Sequence, residues 1–98
     1  MTIQKTLNGS TLSVALEGRL DTTTAPLLEA ELKAPMDGIT ELELDFEKLE
    51  YLSSAGLRVL LAAQKVMNKQ GKMVIRHVNE TIQEVFEITG FIDILTIE

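Results

Sequence analysis

Leu12, Val14 and Leu16 alternate with Ser13, Ala15 and Glu17, which is the period of a strand buried on one face. The stretch before it, Ile3–Leu7, is separated from Leu12–Glu17 by Asn8-Gly9. That dipeptide suits a type I′ turn, whose two central residues both need positive φ, so the spacing predicts a hairpin. Glu41-Leu42-Glu43-Leu44-Asp45-Phe46 alternates strictly and puts Leu42, Leu44 and Phe46 on one face of a further strand.

Helical spacing fills the intervals. Thr22-Thr23-Thr24 precedes Ala25-Pro26, a helix start, because proline fits the first turn where its missing N–H is not needed. Ala25, Leu28 and Leu32 form its buried face, Glu29, Glu31 and Lys33 lie mostly outside, and Pro35 and Gly38 close it. Leu52-Ser53-Ser54-Ala55-Gly56-Leu57 opens the longest helix, which ends near Gln70 with Gly71 as the residue beyond the C-terminus. That helix is apolar over most of its circumference and is expected to pack on a sheet. Its charges, Arg58, Lys65 and Lys69, make one narrow stripe. Leu61 and Ala62 fall inside that stripe, either exposed or at the edge of the core. A strand over Lys72–Val78 follows. Asn79 then caps a helix with Ile82, Val85, Phe86 and Thr89 on one side and Gly90 at its end. Ile94–Ile97 is a short final strand or an extended tail. A hairpin followed by strands alternating with helices predicts an α/β fold in one domain, residues 1–98. Its small mixed sheet is parallel at the crossovers and carries three to four helices.

Composition narrows the function classes. With 98 residues the chain is near the lower end of what a single core sustains. Hydrophobic residues at 45% and charged residues at 24% describe an ordinary globular protein. Cysteine is absent and His77 is the single histidine, so thiolate or multi-histidine metal sites and a serine–histidine triad are not expected. The first ten residues lack a basic segment leading into an apolar run, and no stretch reaches the ~18 apolar residues of a membrane span. A soluble cytoplasmic protein without membrane insertion is expected. A net charge of −6 argues against direct nucleic-acid binding and is compatible with a basic partner. Neither a phosphate-binding glycine-lysine loop nor paired carboxylates beside a nucleophile is present. No catalysis, metal or cofactor is expected.

Two places carry candidate chemistry. At Ser53-Ser54 a hydroxyl caps the helix. It is alternatively a phosphorylation site, since a helix N-terminus tolerates an anion and a phosphate adds about −1.5 to −2 charges at one surface point. Asp21 with Thr22, Thr23 and Thr24 forms a loop that either caps the first helix or makes a rim of a partner surface. His77 is assigned no role beyond a hydrogen-bonded strand histidine.

The run from Leu44 to Leu61, with Leu52-Ser53-Ser54-Ala55-Gly56-Leu57 at its centre, resembles the signature of bacterial anti-sigma factor antagonists of the STAS-domain type. There a strand, a short aromatic-bearing link and a serine-rich turn ending in Gly-Leu open the central helix. Gly18-Arg19-Leu20-Asp21-Thr22-Thr23-Thr24-Ala25 is similar to the family's G-x-[LI]-D loop, and Phe86–Gly90-Phe91 to its third-helix ending. The resemblance spans nearly the whole chain and implies a STAS fold and partner switching. The unphosphorylated antagonist binds an anti-sigma factor that is a serine/threonine kinase, freeing a sigma factor. Phosphorylation ends that binding, and a PP2C-type phosphatase restores it. The phosphoacceptor falls on Ser54, with Ser53 as the alternative. The expected partner face comprises Asp21, Thr22, Thr24, Ser53, Ser54, Gly56, Arg58 and Leu61. Two other readings fit the same fold: a non-catalytic STAS subunit of a lipid ABC transporter-type complex, and a nucleotide-binding module.

Overall fold

The computed structural model describes residues 1–33 and 37–98. Strand β1 (Thr2–Asn8) pairs antiparallel with β2 (Thr11–Leu20), and β2, β3 (Glu41–Leu52) and β4 (Lys72–Arg76) run parallel in the order β1-β2-β3-β4. Helix α1 (Ala25–Lys33) connects β2 to β3, and α2 (Ser54–Gln70) connects β3 to β4. Helix α3 (Glu80–Thr89) is followed by a 3-10 turn over Phe91–Asp93. The alternating runs give one sheet face to the core: Leu12, Val14 and Leu16, Leu42, Leu44 and Phe46, Met73 and Ile75 are all buried. Against them pack Leu28 and Leu32 of α1, Leu57, Leu60, Ala63 and Met67 of α2, and Ile82 and Phe86 of α3. Burying each large apolar side chain contributes about 1.5–3 kcal/mol. The opposite face carries half-buried Ser13, Ala15, Glu43, Asp45 and Arg76, mostly polar, with Val74 buried among them. No helix among the described residues is long and apolar enough to cross a membrane.

Several expectations are corrected. The hairpin loop is Gly9-Ser10, between paired Asn8 and Thr11. Only Gly9 has positive φ (64°), the pattern of a II′ turn rather than I′. Strand β3 does not stop at Phe46 but continues through Leu52, because two register shifts against β2 each insert one extra residue. Burial then steps by three, through Phe46, Leu49 and Leu52. Strand β4 ends at Arg76 instead of Val78, since His77 adopts φ 61° and leaves the ladder. Gly71 follows α2 but is extended (φ 170°), not left-handed. Glycine is required there for space: a Cβ would lie 1.8 Å from the Thr40 carbonyl oxygen, which accepts the Lys72 N–H. Thr89 is exposed, its hydroxyl donating to the Val85 carbonyl at 2.6 Å. Asn79 caps α3, accepting from the Ile82 N–H at 2.9 Å, and Gly90 ends it at φ 80°. Of the tail, Ile97 forms one parallel bridge to Ile75 beside β4. Gly38 lies in a turn with φ 81°, while Pro35 falls outside the described residues.

Candidate functional site

Parallel pairing brings the C-terminal ends of β2 and β3 to one edge, where Leu20 lies opposite Leu52. The chain leaves both strands there and enters α1 and α2, so the two loops adjoin. The Ser53 N–H donates to the Leu20 carbonyl at 2.9 Å and fastens one loop to the other strand. With φ −98° and ψ 174°, Ser53 has the extended backbone of an N-cap, and its hydroxyl accepts the Gly56 N–H at 3.4 Å. Ser54 is the first residue of α2 and is exposed. Its hydroxyl has no hydrogen-bond partner among the described residues. The two serines thus divide the roles that the sequence left open: Ser53 caps, and Ser54 presents a free hydroxyl.

The neighbouring loop is internally bonded. The Asp21 carboxylate accepts the Thr23 hydroxyl at 2.8 Å and the N–H groups of Thr23 at 3.0 Å and Thr24 at 3.2 Å. The Thr23 hydroxyl leads in holding the Asp21 pKa below its ordinary value, and the two N–H groups and the Thr24 hydroxyl add to it against partial burial. The Thr24 hydroxyl accepts the Asp21 N–H and donates to the Arg19 carbonyl, both at 2.8 Å. Thr22 is exposed beside them. Down α2 from Ser54, Arg58 and Leu61 follow at i+4 and i+7 on the same helical face. Arg58 is exposed and Leu61 half-buried, while Ala62 is exposed. Gly56, expected on the partner face, does not reach it. It is buried, and a Cβ there would meet Leu52 Cδ1 at 2.6 Å and Leu20 Cγ at 2.8 Å.

A family model described as "Mlab, STAS domain" matches residues 3–96. BtrV of Bordetella bronchiseptica, named as a proposed anti-sigma factor antagonist, is 42% identical over 88 residues, covering 88% of this chain and 76% of its own length. The anti-sigma-B factor antagonist of Staphylococcus aureus is 33% identical over 98 residues, covering 97% and 90%. The chain belongs to the STAS-domain family of anti-sigma factor antagonists. Its fold matches that of the Bacillus cell fate determinant SpoIIAA in its phosphorylated form, with a TM-score of 0.78 at 19% identity over 99% of this chain and 91% of that one.

This STAS domain carries two further features at or near the site that sequence reasoning missed. The Arg19 guanidinium lies over the Tyr51 ring, 4.2 Å from its centroid, with Nε 3.8 Å from the Asp21 carboxylate. The pair exists because the second register shift sets Tyr51 opposite Arg19, and the strict alternation that marks Glu41–Phe46 does not extend to this part of the strand. On the polar sheet face, Asp45, Glu47 and His77 bring candidate ligand atoms within 4.8 Å of one another, the donor set of a cation site. His77 Nδ1 is already engaged with Asp45 Oδ1 at 2.8 Å, so the grouping is held together without an ion.

Proposed function

We propose that this chain is a cytoplasmic anti-sigma factor antagonist acting by partner switching. In its unphosphorylated form it binds an anti-sigma factor that is a serine/threonine kinase and so frees a sigma factor. Phosphorylation of Ser54 ends the interaction, and a PP2C-type phosphatase reverses it. The observation that carries this reading is the free, exposed hydroxyl of Ser54 at the start of α2, with the capping duty taken by Ser53. In the transfer, Ser54 Oγ forms a bond to the γ-phosphorus of ATP as the bond to the β,γ-bridging oxygen breaks. ADP leaves, and the hydroxyl proton passes to a base on the kinase. Nucleotide and base both belong to the partner, so the chain is a substrate and a ligand, not a catalyst.

The proposed contact face runs from Asp21, Thr22 and Thr24 across Ser53 and Ser54 to Arg58 and Leu61. A phosphate at its centre adds about −1.5 to −2 charges, which a tightly packed partner has to desolvate or repel. Affinity capture from the native cell, followed by incubation of the pair with ATP and tandem mass spectrometry, tests the reading. A kinase-like anti-sigma factor should co-purify, and one phosphate should appear on Ser54. Phosphate on Ser53, none with an active kinase, or capture of a membrane-transport component instead, overturns it.

A further inference from the structure

We infer that Arg58 is the intramolecular receptor for a phosphate on Ser54, so that modification adds an anion to the partner face and at the same time removes its free cation. The inference rests on Ser54 being the phosphoacceptor. Three observations lead to it. Ser54 and Arg58 are one turn apart on α2 and both exposed. Side chains at i and i+4 have Cβ atoms about 5–6 Å apart, and the acid N-terminal to the base is the favourable order. Second, Arg58 forms no ion pair or hydrogen bond among the described residues. The other arginine at this edge, Arg19, is already engaged with Asp21 at 3.8 Å and with the Tyr51 ring. Lys65 and Lys69, on the same stripe, begin eleven residues from Ser54, about 16 Å along the helix. Third, the hydroxyl of Ser54 is unbonded, so nothing has to be broken before it turns toward Arg58.

The chemistry matches. A guanidinium offers a planar fork of donors suited to two phosphate oxygens, and its charge does not titrate in the working range. The geometry also separates the two serines. From Ser53 the spacing to Arg58 is i, i+5, which turns the guanidinium about 140° around the helix axis. The modified protein would thus present a neutralised pair where the unmodified protein presents Arg58 alone. A partner carboxylate that pairs with Arg58 loses its cation in the same event that sets a phosphate beside it.

The test needs no kinase. Phosphoserine is encoded genetically at position 54 of the full chain, and the second ionisation of its phosphate, near pH 6 when unperturbed, is followed by phosphorus NMR. Compared with the Arg58→Gln variant, the wild-type phosphate should titrate about half a unit lower or more, and the difference should shrink at high salt. Arg58→Lys should retain part of the shift, since the charge stays while the fork is lost. Identical titrations in wild type, Arg58→Gln and Arg58→Lys overturn the inference. Its failure is distinguishable from failure of the underlying reading, which the mass spectrometry of the kinase reaction decides separately.

Discussion

Replacing Ser53 and Ser54 one at a time separates the capping bond of Ser53 from the phosphoacceptor role proposed for Ser54. Ser53→Ala removes the acceptor for the Gly56 N–H at the head of α2. Loss of an N-cap costs about 0.5–2 kcal/mol. The 3.4 Å separation is long for such a bond, which places the effect in the lower half, about 1 kcal/mol. In a domain of this size that lowers the melting temperature by about 4–8 °C. Ser54→Ala breaks no hydrogen bond and puts a better helix former at an exposed position, so stability should stay within about 0.5 kcal/mol. Binding to the proposed partner kinase should survive in both alanine variants, because neither adds charge, but Ser54→Ala should no longer accept phosphate. Ser54→Asp tests the charge. It suits the positive end of the helix by about 0.3–1 kcal/mol, yet it places an anion on the contact face. A tenfold loss of affinity, about 1.4 kcal/mol, is expected. Thermal melts and calorimetric titrations of the three variants decide the matter. If Ser54→Ala melts as low as Ser53→Ala, or if Ser54→Asp binds like wild type, the assignment of cap and switch is wrong.

Arg58→Glu and Leu61→Asp should each weaken kinase binding by about 1–3 kcal/mol with little change in melting temperature; unchanged calorimetric affinity in both places the interface elsewhere. The His77 pKa is raised above 6.5, first by its hydrogen bond to Asp45, so its contribution to stability is full below that pH and is lost as pH rises through the raised value. Partial burial pushes Asp45 up, but the His77 hydrogen bond and the Glu47 N–H outweigh it, so its contribution is present above 3.8 and is lost as pH falls through the lowered value. Melts from pH 5.5 to 8.5 should therefore show wild type losing stability relative to His77→Asn, which tolerates positive φ without titrating; parallel profiles would remove the pair from the stability account. Gly71→Ala should destabilise by about 1–3 kcal/mol or more in a denaturant titration, since the clash is with the Thr40 backbone and not with a side chain that can swing away; a neutral result would mean that the β3–β4 edge yields easily.

Most of the architecture was legible because the sheet is covered on one face only. Half-burial preserves the period of two, as in Leu12–Leu16 and Leu42–Phe46, and the helices keep apolar residues on the side that meets the sheet. Asn79 and Gly90 were legible for a related reason: each acts through its own backbone neighbourhood, which sequence records directly. The misreadings share the opposite property. Continuation of β3 through Glu47–Leu52 depends on bulges, which replace alternation with steps of three. Gly56 and Gly71 are fixed by side chains and backbone from other elements, so their neighbours in sequence suggest only a flexible or helix-ending glycine. Which of two adjacent serines caps α2 turns on the extended ψ of Ser53, and that is set by the amide it gives to Leu20 on the neighbouring strand.

That amide also bears on why binding, and not folding, would be the quantity under control. The ground beneath Ser54 is fixed from three sides. Ser53 is tied to Leu20, Gly56 is wedged against Leu52 and Leu20, and the Asp21–Thr24 loop is closed on itself by hydrogen bonds of 2.8–3.2 Å. None of these contacts involves the Ser54 side chain. A charge placed on its hydroxyl therefore has no internal bond to break and no cavity to enter, and it lies at the helix end where an anion is stabilised rather than opposed. The domain has little means of converting such a charge into a change of shape. In the proposed switch the effect is felt by whatever packs over α2, through desolvation and through the inferred competition for Arg58. A switch of this construction needs a rigid small domain with one free hydroxyl beside one free cation, and the division of labour between Ser53 and Ser54 supplies the hydroxyl.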